Sequence, residues 1–178
     1  MEDETGRTVR RVVLAVGVAI AALVMVLAVS ERGRGSPPLP DFAPEFAGDT
    51  LSGDRFEMVN WRGRWVLVNF FATWCVECRV EHPELVAFAQ RYQDDPDVRL
   101  VSVVFRDSTD RIADFFAIHG GTWPVVVSDT RQVAIDFGVT AVPETYLVDP
   151  SGRVVVRFTG GVTLADIQEQ LVQAGAVV

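Results

Sequence analysis

Residues 65–92, WVLVNFFATWCVECRVEHPELVAFAQRY, decide the fold. Trp65–Phe71 is apolar at every position but Asn69, the pattern of a strand covered on both faces. After Ala72-Thr73-Trp74 the spacing changes. Val76–Tyr92 reads as a helix, with Val80, Leu85 and Phe88 as its apolar stripe and Pro83 predicting a bend. A buried strand therefore runs into a helix, and the only two cysteines of the chain, Cys75 and Cys78, stand at the junction.

That placement suits disulfide exchange. The attacking species is a thiolate, and the unpaired N–H groups and partial positive charge at a helix start lower a thiol's pKa. Cys75, nearest the tip, is the expected nucleophile. Cys78, one turn in, is close enough to close an intramolecular disulfide with it and release the product. Trp74 flanks the pair and limits its exposure. Other uses of two cysteines fit less well. A structural disulfide closing so short a loop removes little chain entropy. Zinc wants about four ligands, and only His82 and His119 could join the thiols. Attached haem needs His directly after the second Cys, where this chain has Arg79.

Outward from this stretch, strand and helix signals alternate. Arg55–Val59 reads as a short strand, Val98–Phe105 as a second buried strand, and Thr109–Ile118 as a helix capped by Ser108 or Thr109. Val125–Ser128, Thr145–Val148 and Val154–Phe158 are short strands, the last two joined by the turn Asp149–Gly152 as an antiparallel hairpin. Leu164–Ala174 closes as a helix. A β-α-β half followed by a β-β-α half predicts an α/β domain with a mixed central sheet and helices on both faces.

The N-terminal residues form a separate object. Val12–Val29 is an uncharged run of 18 residues, within the roughly 17–25 that cross a bilayer. Arg7, Arg10 and Arg11 precede it, which suits a cytoplasmic start. The expected organisation is a cytoplasmic end over 1–11, a transmembrane signal-anchor over 12–29, a Gly/Pro-rich linker over 30–40 and a folded domain over 41–178. A cleaved signal peptide is the competing reading, but its core is usually about 7–15 residues. Either way the domain is exported, as a single-pass protein of the cell membrane in the first case.

The chain of 178 residues has 16 basic residues, all Arg, against 24 acids, a net charge of −8. The absence of Lys excludes Schiff-base chemistry. Four acids and five bases lie in residues 1–35, leaving 20 and 11 beyond and a net charge of −9. Such a chain is a poor ligand for nucleic acid. No cofactor and no metal is called for.

Asn69–Leu85, NFFATWCVECRVEHPEL, resembles the active-site stretch of thioredoxin-like proteins, and more narrowly of the membrane-tethered TlpA/ResA/DsbE group. Phe137–Val148, FGVTAVPETYLV, is similar to the segment carrying that group's cis-proline, its Pro-Glu-Thr nearest the DsbE branch. The resemblance covers about residues 40–175 and implies a thioredoxin-like fold. It also implies a site built from the Cys75–Cys78 disulfide, with Pro143 as the cis-proline facing it. Val142 would offer its backbone to a substrate strand, and Trp74 and Glu144 would touch substrate. Thioredoxins proper carry a buried Asp where this chain has Asn69, which cannot accept a proton. The TlpA/ResA/DsbE group instead has a Glu one turn after the second Cys, matched by Glu81, whose implied role is moving the thiol proton. One departure is Glu77 where the group usually has Pro.

The implied function is a reductase of protein disulfides, apocytochrome c or similar exported proteins, recharged by a transmembrane thiol electron donor. The rivals are an oxidant or general thiol reductase of the same fold, and a non-enzymatic thioredoxin-fold chaperone or binding module.

Overall fold

The computed structural model describes residues 2–32 and 38–177. Contacts divide the chain into two units, residues 1–37 and 38–178. The first is one helix, α1 (Glu2–Arg32). It contains the expected span 12–29 and continues through the end expected at 1–11. The side chains of residue 12 and residues 27–29 lie outside those described, and among the described residues no helix is long and apolar enough to cross a membrane. A transmembrane span is thus a reading of sequence alone. Residues 33–37 of the expected linker lie outside the described residues.

The second unit begins with a small antiparallel pair, β1 (Ala47–Asp49) and β2 (Arg55–Glu57). The single strand expected over 55–59 ends early, because Met58–Trp61 turns into a short 3-10 helix. Then come β3 (Trp65–Phe71), α2 (Val76–Arg91), β4 (Val98–Val104), α3 (Thr109–His119), β5 (Val125–Val126), α4 (Thr130–Phe137), β6 (Glu144–Val148), β7 (Val154–Thr159) and α5 (Leu164–Gln173). The five-stranded sheet has the order β5-β4-β3-β6-β7. The central β3 pairs in parallel with β4 and antiparallel with β6, so the sheet is mixed as the sequence predicts.

Every residue of β3 is buried, which accounts for its nearly unbroken apolar run. One face carries Leu67, Leu100 and Leu147 against Leu85 and Phe88 of α2, Ile112, Phe115 and Phe116 of α3, and Ile167 and Leu171 of α5. The other carries Val66, Val68, Val101 and Tyr146 against Phe137 of α4 and against Phe46, Phe56 and Met58. Helices thus cover both faces. The β6–β7 hairpin turns on Asp149, whose Oδ1 accepts from the N–H groups of Ser151 and Arg153, each at 2.9 Å. Gly152 supplies the left-handed φ of 88° there, beside the Arg62 side chain.

The apolar stripe of α2 differs from expectation. Val80 is 72% exposed, and the inward face is Cys78, Glu81, His82, Leu85 and Phe88. Two polar residues occupy the turn that an apolar count assigns to Val80.

Candidate active site

β3 ends at Phe71, and Ala72–Trp74 carry the chain to α2. The turn is held from the following loop. Asp107 Oδ2 accepts from the Thr73 N–H at 2.7 Å and its hydroxyl at 2.6 Å, while Oδ1 accepts from the Ser108 N–H at 2.8 Å and Arg111 Nε at 2.7 Å. Burial opposes the charge on Asp107, but these four donors outweigh it and hold its pKa below the usual range. Trp74 is 54% exposed, its indole Nε1 donating to the Arg106 carbonyl at 3.1 Å. It stands beside the cysteines without covering itself.

Cys75 caps α2. Its backbone is extended and its Sγ accepts from the Cys78 N–H at 3.1 Å, so an orphan donor of the helix start points at the sulfur. Cys75 and Cys78 form a disulfide with Cα atoms 5.3 Å apart. An accessible sulfur is expected at a reactive thiol, but in this disulfide form both cysteines are buried, Cys75 7% exposed and Cys78 2%. Part of the cover is the Val142 carbonyl oxygen, 3.5 Å from Cys75 Sγ. The Val142–Pro143 bond is cis, and Pro143 is buried at the start of β6. Two segments far apart in sequence therefore meet at one sulfur.

Below the disulfide lies a polar row across three strands. Asn69 of β3 stands in register with Ser102 of β4 on one side and Thr145 of β6 on the other. Asn69 Oδ1 accepts from Ser102 Oγ at 3.2 Å, and its Nδ2 donates to Thr145 Oγ1 at 3.0 Å and to Glu81 Oε1 at 2.9 Å. Trp123 Nε1 donates to Ser102 Oγ at 2.8 Å. Glu81 Oε2 accepts from the Val162 N–H at 3.2 Å. Glu81 is 2% exposed, so it is no solvated helix carboxylate. Burial pushes its pKa up to about 7 against the lowering effect of the Asn69 and Val162 hydrogen bonds, with Glu77 adding a small upward push. Asn69 thus serves the buried carboxylate of α2 as a donor.

Glu144 is placed differently from expectation. It is buried, and its Oε1 accepts from the Thr140 N–H at 3.0 Å, the Thr140 hydroxyl at 3.2 Å and the Ala141 N–H at 3.3 Å. Its Oε2 accepts from the Tyr146 hydroxyl at 2.6 Å. It braces the loop before the cis-proline from inside and presents no charge to a substrate. His82 Nε2 meets the Gly120 carbonyl at 2.9 Å, and its ring packs among Phe115, Phe116 and Trp123, away from any ligand role with the cysteines. Burial keeps its pKa below the usual value.

The braces Asp107, Ser102 and Thr145 were not singled out from sequence. Ser102, inside the apolar run Val98–Phe105, carried a signal: a hydroxyl in a doubly covered strand needs a buried partner.

A disulfide at a helix start, with the carbonyl that precedes a cis-proline over its outer sulfur and a buried carboxylate one turn behind, defines a thiol–disulfide oxidoreductase of the thioredoxin-like kind. The chain belongs to the AhpC/TSA family, whose model matches residues 39–157, and within it to the ResA/DsbE type. The thiol-disulfide oxidoreductase ResA of Bacillus subtilis (strain 168) is 31% identical over 129 residues, 72% of this chain and 72% of that protein. A thiol:disulfide interchange protein DsbE homolog of Paracoccus denitrificans (strain Pd 1222) is 39% identical over 101 residues, 56% of this chain and 53% of its own length. A crystal structure of a thioredoxin-family thiol:disulfide interchange protein from Chlorobium tepidum TLS matches with a TM-score of 0.69 at 26% identity, covering 78% of this chain and 98% of that one.

Proposed function

We propose that this chain reduces disulfides of exported proteins, apocytochrome c or similar polypeptides, on the extracytoplasmic side of the cell membrane. The observation that carries the reading is the Cys78 N–H aimed at Cys75 Sγ, which stabilises a thiolate there once the pair is reduced. The Cys75 thiolate attacks a substrate disulfide, forming a mixed disulfide and expelling one substrate thiolate. Cys78 then loses its proton to Glu81 and attacks Cys75 sulfur, expelling the second. Two electrons pass to the substrate, and the enzyme is left as the Cys75–Cys78 disulfide. A proton acceptor with a pKa of about 7 suits this step near neutral pH. The substrate strand lies along Val142, between Trp74 and the Pro143 loop. A transmembrane thiol donor returns the electrons, and the uncharged run 12–29 behind Arg7, Arg10 and Arg11 supports a single-pass anchor.

The test is the full chain carrying Cys78→Ser. It should accumulate a mixed disulfide at Cys75, whose partner mass spectrometry identifies, and the dithiol form of the natural chain should reduce a disulfide-bonded Cys-X-X-Cys-His peptide. If Cys78→Ser traps nothing that Cys75→Ser does not also trap, the proposal fails.

A further inference from the structure

The two loops that frame the redox pair also wall a cavity of about 390 Å3 that the exchange chemistry leaves unused. Phe105 and Arg106 line it from the loop after β4, and the Arg106 carbonyl is the group that holds the Trp74 indole. Val139 and Thr140 line it from the loop leading to Val142 and Pro143, and α4 adds Arg131 and Ile135. The volume sits at the small end of the roughly 300–1,000 Å3 typical of ligand sites. It has room for a side chain and part of the segment that carries it.

Its charge is the exception on this protein. The chain beyond residue 35 has a net charge of −9, yet two arginines, Arg106 and Arg131, line this cavity against one acid, Asp107. Among the described residues neither Arg106 nor Arg131 has an acid within ion-pair distance, and Arg106 only stacks over Phe105 at 5.1 Å. The start of α4 points the same way: Thr130 lines the cavity, and the N-cap residue Asp129 makes no side-chain cap bond. Asp107 also lines the cavity, but both of its oxygens are engaged by Thr73, Ser108 and Arg111. Arg106 is held at φ 51°, a conformation a non-glycine residue rarely adopts.

We infer that this cavity reads a carboxylate on the substrate polypeptide, a Glu or Asp near the cysteine that Cys75 attacks. The carboxylate pairs with Arg106 and Arg131, and the aliphatic part of its segment lies on Phe105, Ile135 and Val139. This deepens the proposed exchange on protein disulfides and rests on it. Hydrogen bonds to charged groups are the stronger kind, and at a partly exposed site their loss is expected to weaken binding about five- to tenfold.

The test uses the full chain in detergent and two dye-labelled peptides with a neutral dye. They are identical except for Glu or Gln near a Ser that replaces the reactive Cys, so that binding is read without chemistry. Fluorescence anisotropy should give about five- to tenfold tighter binding of the Glu peptide at low salt. The preference should vanish in 1 M salt, where the screening length is only about 3 Å. The ratio should fall toward one in Arg131→Gln, where Arg106 alone remains, and be better kept in Arg131→Lys, which keeps the charge without the fork. Equal binding of the two peptides, or a preference indifferent to Arg131→Gln, overturns the inference. Disulfide-bonded versions of the same peptides then separate the two readings. Exchange at equal rates with equal binding removes the carboxylate site and keeps the reductase. Preferential binding with no exchange of either peptide keeps the site and removes the reductase.

Discussion

Replacing Glu81 by Gln should change how stability depends on pH, in a direction fixed by the burial of the carboxyl. In the folded chain its pKa is raised from the ordinary 4.5 to about 7. The folded state therefore holds a proton that the unfolded state has released between those two values. Stability falls as pH rises there, by about 1.4 kcal/mol per pH unit. The contribution is fully present below pH 4.5 and is lost through pH 7. Its whole size is about 3 kcal/mol, a large share of the stability of an ordinary domain. Gln has no such proton. Its amide places a donor opposite either Asn69 Nδ2 or the Val162 N–H, so Glu81→Gln begins with a constant penalty of about 1–3 kcal/mol. The difference between the two proteins should nonetheless move by about 3 kcal/mol in favour of Gln from pH 4.5 to pH 8.5. The assay is urea unfolding of the oxidised full chain in detergent, followed by tryptophan fluorescence. Trp61, Trp65, Trp74 and Trp123 all lie in the second unit, so the signal reports that unit alone. Parallel pH dependences in the two proteins would refute the assignment of this titration to Glu81.

Asp107→Ala should cost about 1–3 kcal/mol by leaving the Thr73 N–H without its partner, read by the same unfolding curves, and should quicken alkylation of reduced Cys75 by loosening the Trp74 turn. Glu144→Gln should leave the relative rates for acidic and basic substrate peptides unchanged, because the carboxylate faces Thr140, Ala141 and Tyr146; a charge-dependent shift in stopped-flow exchange would contradict this. Gly121→Ala should lower the thermal midpoint by about 3–10 °C. A Cβ there would stand 2.7 Å from the Phe116 ring at a φ of +120°, and an unchanged melt would show that the ring has room to move.

The sequence was most legible where burial is uniform. Trp65–Phe71 reads as a strand to the residue because both of its faces are covered. The cysteine junction, the Ser108 cap and the Asp149 turn are local signals, and each has the expected hydrogen bonds. What escaped depends on tertiary context. α4 is eight residues long, starts at an Asp129 in the left-handed region without a side-chain cap, and buries only Val133, Ala134 and Phe137. β1 is three residues, held by β2 and by Val127 and Ser128, which bond Asp49. Val80 misled because an apolar count cannot foresee that Glu81 and His82 turn inward to partners on Asn69, Val162 and Gly120. The role of Glu144 was invisible for the same reason: its partners on Thr140 and Tyr146 are revealed only when the cis-proline loop is folded.

The brace from Asp107 to Thr73 has a consequence for how such a protein changes over time. The threshold of the reactive sulfur is fastened to a neighbouring segment and not only to its own helix. Substitutions in that neighbour, or in α3 through Arg111, can widen or narrow the entrance while every residue of the cysteine helix stays as it is. Lineages sharing one pair of sulfurs can in this way drift toward different clients by editing a stretch of chain thirty residues downstream.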